Sequence, residues 1–87
     1  MYRFEYDEQK SASNLKKHGI DFVMAQELWS DSDLVEIQVK SSAEPRCLII
    51  ARISGKHWSA VITYRGDIIR IISARRSRKS EVELYES

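Results

Sequence analysis

From Leu34 onward the hydrophobic residues stop recurring every third or fourth position and fall into four β-branched runs: LVEIQVK (34–40), RCLIIARI (46–53), HWSAVITYR (57–65) and IIRIISARR (68–76). Pro45, Gly55 and Gly66, each with polar neighbours, stand between them. Strands in series joined by connections this short pair as neighbours, so the last three are expected to form antiparallel hairpins. LVEIQVK alternates cleanly, with Leu34, Glu36, Gln38 and Lys40 on one side and Val35, Ile37 and Val39 on the other, as a strand with one wet face does. LIIARI and IIRII do not alternate. Both faces of their sheet must then be at least partly covered, one by helices and the other by a C-terminal helix or a second protein.

Upstream the pattern is different. YRFEY (2–6) alternates at period two and predicts a short first strand. Asp7 can cap a helix whose first turn is acidic, whose last turn holds Lys16, Lys17 and His18, and which Gly19 terminates. That is the charge order a helix dipole favours. Asp21 can cap a second helix over residues 21–29, with Phe22, Ala25, Leu28 and Trp29 on one face. Residues 77–87 are polar enough, with Val82 and Tyr85 three apart, for a C-terminal helix. No repeat, linker or low-complexity tract interrupts the 87 residues, which read as a single domain, 1–87.

A chain of this size leaves little room for a large internal cavity. Its 43% hydrophobic and 31% charged residues, with three glycines and one proline, are those of a folded globule and not a disordered chain. The lone Cys47 rules out an intramolecular disulfide and reads as a small core residue, fitting a reducing, cytoplasmic setting. No run approaches the ~20 apolar residues of a membrane span, so no membrane partner is expected. The net charge of +1 is unevenly spread: between Arg65 and Lys79 six cations face Asp67 alone, whereas the remainder is acidic. Such a distribution points to a localised anion site.

Candidate chemistry is correspondingly narrow. One cysteine and two isolated histidines offer no metal-ligand spacing, and no nucleophilic serine motif or glycine-rich phosphate loop is present, so neither metal nor cofactor is expected. Arginine, lysine, histidine, glutamate and tyrosine near strand ends remain, a set able to stabilise a phosphate and move protons. Arg70, flanked by isoleucines, needs a carboxylate or an anionic ligand. In a regular strand it points away from the face of Arg75, and only a bulge would bring the two together. Arg75 and Arg76, at the strand's end, reach toward solvent and substrate. Glu81 and Tyr85, four apart on the last helix, can approach Arg75 as a salt bridge beside a buried ring or as part of a site. His18 can bond the last carbonyls of its helix, His57 reads as a solvated turn residue, and Trp29 and Trp58 read as core aromatics.

The segments FEYDEQKSASNLKKHGIDF, ELWSD and RGDIIRIISARRSRKSEVELY together resemble the BrnT toxins of bacterial type II toxin–antitoxin modules, over nearly the whole chain. The resemblance picks out Asp7, Lys10, Asn14, Lys17, His18, Gly19 and Phe22, then Arg65, Arg70, Ser73, Arg75, Glu81 and Tyr85. Tyr6 stands where Trp is usual, Trp29 where Phe is common, and Val82 where an arginine usually follows the glutamate. The resemblance implies an α+β, RelE-like fold: a small antiparallel sheet flanked by two N-terminal helices and one C-terminal helix. It implies a metal-independent endoribonuclease that cleaves by attack of the ribose 2′-hydroxyl and inhibits translation. Arg65 and Arg75 would stabilise charge and His18 would transfer protons, with Lys17, Arg70, Arg76, Glu81 and Tyr85 contacting substrate. The expected partners are RNA and a BrnA-like antitoxin, with DNA reached only through that antitoxin and homo-oligomerisation left open. The competing expectation is a catalytically silent module that docks an antitoxin or nucleic acid through the same sheet.

Overall fold

The computed structural model describes residues 2–40 and 44–87. Strand β1 (Arg3–Glu5) leads into helix α1 (Glu8–His18), a 3-10 helix (Met24–Ser30), four strands, β2 (Val35–Val39), β3 (Arg46–Ile53), β4 (Lys56–Arg65) and β5 (Ile68–Arg76), and helix α2 (Lys79–Glu86). The strands form one sheet in the order β1-β5-β4-β3-β2. β2, β3, β4 and β5 pair antiparallel in sequence, as expected, but β1 lies parallel to β5, so the sheet is mixed and not antiparallel. α1 and the 3-10 helix lie between β1 and β2, and that long crossover lets the first strand enter beside the last in either sense.

Local chemistry sets the helix ends. Asp7 Oδ1 accepts from the backbone N–H groups of Gln9 and Lys10 at 2.8 and 3.1 Å, and those bonds hold its carboxyl below the usual range. Gly19, at φ 78°, closes α1 with its N–H on the Leu15 carbonyl. The second helix is shorter and tighter than the expected α-helix over 21–29. Its N-cap position falls on Val23 and not on Asp21, although Asp21 Oδ1 still accepts from Met24 N at 2.8 Å, and a bond from Gln26 N to the Val23 carbonyl closes three-residue turns of 3-10 type. The β3–β4 hairpin turns on Ser54 and Gly55, at φ 52° and 80°, the paired positive values of a type I′ turn.

The core lies on one face of the sheet. Ile20, Phe22, Ala25 and Leu28 pack against Cys47, Ile49 and Ala51 of β3, Ala60 and Ile62 of β4, and Ile69, Ile71 and Ala74 of β5. Cys47 is a buried core residue, and Trp29 and Trp58 border the same cluster. Asn14 fastens α1 to this layer: its Nδ2 donates to the carbonyls of Ile20 and Ala74, both at 2.8 Å, and its Oδ1 accepts from Ala74 N at 3.3 Å. β1 pairs with β5 only along Ile68–Arg70, so farther on the Asn14 amide takes the ladder bonds a neighbouring strand would have made.

Candidate functional site

β5 contains the bulge that the sequence left conditional. Ile62 pairs with Ile71 and Val61 with Ser73, leaving Ile72 without a partner on β4. The extra residue reverses the alternation, so Ala74 joins Ile69 and Ile71 on the core face while Arg70, Ser73 and Arg75 share the opposite one. Thr63, Val61 and Ser59 of β4 lie beside them, with Arg65 at the end of the row. The face away from the core thus carries a row of three arginines over residues 65–75.

At one end of the row, α2 folds back over the sheet and is tied down through Glu81. Its carboxylate accepts from Arg75 Nη1 and Nη2, from Ser59 Oγ and from Arg78 N, all at 2.8 Å. The fork of Arg75, aided by the Arg78 N–H and the Ser59 hydroxyl, lowers the Glu81 pKa to about 2 despite the opposing effect of burial. In return Glu81 holds the Arg75 pKa above its ordinary value. Arg75 also donates to the Arg76 carbonyl at 3.2 Å. Farther along α2, Tyr85 donates to Asp31 Oδ2 at 2.6 Å, and that bond pushes its phenol up to about 12. Burial opposes ionisation of Asp31, but the bonds from Tyr85, Arg52 N and Asp33 N outweigh it and hold its carboxyl low.

The other end is more open. Arg70 Nη1 donates to Glu5 Oε2 at 2.8 Å, and Arg65 Nε stands 4.0 Å from the same oxygen. Their side chains are 29% and 53% exposed and that of Glu5 33%, so a solvent-borne anion can reach both cations. Thr63 and Ser59, the β4 partners of Arg70 and Arg75, are four residues apart, on the order of 13 Å along the strand. Contact at both arginines therefore takes more than one phosphate.

The remaining sequence candidates are dispersed. Lys17 and His18 lie in the last turn of α1, the helix that Asn14 fastens to the β5 edge at Ala74, and the chain then continues into core-facing Ile20 and Phe22. Arg76 turns to the core side, its guanidinium carbon 5.5 Å above the Trp58 ring and its Nε donating to the His57 carbonyl. His57, which the sequence suggests is a solvated turn residue, instead lies within β4, two residues before Ser59 and on the same face. Its Nε2 is 2.8 Å from Glu86 Oε2, and its ring meets Tyr85 edge-on at 5.1 Å. The run HWSAVITYR already began at His57, and its period-two spacing from Ser59 was the available signal; the missing knowledge was that α2 would bring Tyr85 and Glu86 against it.

A family model described as ribonuclease toxin, BrnT, of type II toxin-antitoxin system matches residues 6–81. No curated protein matches the chain.

Proposed function

The chain belongs to the BrnT family of ribonuclease toxins of type II toxin–antitoxin systems, and from that premise we propose that it is a metal-independent endoribonuclease acting on RNA laid along the arginine row of the sheet. The observation that carries this reading is the β5 bulge, which gathers Arg65, Arg70 and Arg75 on the face away from the core. Single-stranded RNA offers its phosphates in succession, and cations spaced along a strand match that better than a single pocket does. In the reaction the 2′-oxygen attacks the adjacent phosphorus, the bond to the 5′-oxygen breaks, and a 2′,3′-cyclic phosphate and a 5′-hydroxyl result. The crowded phosphorane oxygens are stabilised by arginine. Arg65 and Arg70, shared by a single carboxylate, are the cations most readily redirected to phosphate. A BrnA-like antitoxin neutralises the toxin by covering this face.

One observation favours the catalytically silent alternative: Arg75 already spends three donors on Glu81 and the Arg76 carbonyl, as a structural arginine does. The purified chain is therefore incubated with end-labelled RNA in EDTA. Cleavage to cyclic-phosphate ends, lost in Arg65→Ala/Arg70→Ala and kept in the surface control Lys56→Ala, supports the enzyme. Intact RNA that is nevertheless bound assigns the face to docking alone.

A further inference from the structure

We propose that His57 takes the proton from the attacking 2′-hydroxyl, with Glu86 as the residue that positions its imidazole; this rests on the ribonuclease reading above. His57 stands on the face that carries Arg75, paired across the β3–β4 ladder with Arg52 and one alternation from Ser59, itself opposite Arg75. Its side chain is 20% exposed, so it is neither core nor free in solution. The Tyr85 ring, near-perpendicular at 83°, packs against the imidazole, and a carboxylate holds one nitrogen at 2.8 Å. A carboxylate only accepts, so Nε2 is the nitrogen that donates to Glu86, and in the neutral ring this contact leaves Nδ1 as the acceptor. A neutral imidazole whose second nitrogen faces an acidic partner is arranged as a general base.

The other groups around it are unsuited to that task. Glu81, with a pKa near 2, is a locked anion, and Tyr85, raised to about 12, holds its proton. The guanidinium groups of Arg52, Arg75 and Arg76 offer only donors, and Asp31 is engaged by Tyr85 and two backbone amides. The second imidazole, His18, ends α1 and, among the described residues, makes no carboxylate pair of the kind that holds His57. In the step proposed, the 2′-oxygen–phosphorus bond forms as the 2′-proton passes to Nδ1 of His57. The phosphorus–5′-oxygen bond breaks, and water supplies the proton to the departing 5′-oxygen. Arg52, exposed and paired with His57 across the ladder on the same face, is the cation placed to meet the phosphate charge, and Glu86 stabilises the imidazolium.

The test uses the full chain, a short labelled RNA and single-turnover rates across pH, with melting curves to establish folding. His57→Asn is expected to slow cleavage by about 100-fold or more, to leave KM within about threefold and to remove the acidic limb of the pH–rate profile. Glu86→Gln is expected to lower kcat with KM held and to move that limb. If His57→Asn melts below the assay temperature, the Glu86→Gln profile decides, and a limb unmoved there overturns the proposal. A folded His57→Asn protein cleaving at the wild-type rate also overturns it, as does a loss confined to KM or an acidic limb abolished by His18→Asn instead. Failure of the wild-type chain to cleave any RNA sinks the ribonuclease reading and this assignment together, whereas the preceding outcomes sink the assignment alone.

Discussion

Two arginine–carboxylate pairs lie on one face of one strand and behave differently. Arg75 and Glu81 form a two-pronged pair whose carboxylate is only 9% exposed and also receives a hydroxyl and a backbone amide. Arg70 and Glu5 meet through a single contact, with side chains 29% and 33% exposed. The chemistry of the pairs is the same, and the difference comes from the cover. α2 roofs the first pair and removes water that would screen it, whereas the second lies near the sheet's edge, where β1 is only three residues long. A basic strand therefore divides its cations between holding the fold and remaining available for a polyanion.

Arg75→Ala should have the largest effect, because it strands a carboxylate that α2 keeps from solvent. The expected loss is about 3–4 kcal/mol, which for a domain of this size lowers the melting midpoint by more than about 10 °C. A midpoint near that of the wild type would erase the distinction between the pairs. Glu81→Gln keeps the shape and removes the charge, and should cost about 2–3 kcal/mol at neutral pH. Its pH dependence sharpens the point. The folded Glu81 pKa near 2 lies below the ordinary 4.5, so its contribution is complete above about pH 4.5 and fades as pH falls toward 2. Denaturant unfolding should show the gap between wild type and Glu81→Gln closing over that window; a gap constant from pH 7 to 2 would place the stabilisation elsewhere.

Arg70→Ala should have the smallest structural effect, below about 1 kcal/mol, since its partner stays solvated. Its consequence should appear in RNA binding, with the slope of log affinity against log salt reduced by about one phosphate contact. A slope unchanged in Arg70→Ala and reduced in Arg75→Ala would interchange the roles of the two ends.

Much of this was readable along the chain because the determining forces act over a few residues. Asp7, Gly19 and Gly55 set helix ends and a turn through bonds spanning two to four positions, and the β-branched runs from Leu34 specified strands that pair with their neighbours. The charge of residues 65–79 pointed to a localised anion site but not to the face that carries it, because simple alternation divides Arg70 from Arg75. The second helix was harder: Phe22, Ala25 and Leu28 are buried as expected, but a seven-residue segment satisfies that burial equally well with a tighter turn.

What the tertiary structure alone decided concerns contacts between distant positions. The parallel pairing of β1 with β5 joins register partners 65 positions apart, such as Arg3 and Ile68. The bulge at Ile72 arises where Ala74 must serve two masters, with Ala60 as its register partner on β4 and Asn14 bonding its backbone from α1 sixty residues away. Without that extra residue, simple alternation would have put Arg70 and Arg75 on opposite faces, the outcome the sequence predicts for a regular strand. His57 likewise acquired its setting only when α2 brought Tyr85 and Glu86 across the sheet. Local sequence states which groups are present and how they are spaced; it is the closure of long loops that determines which of them meet, and that depends on packing summed over the whole chain.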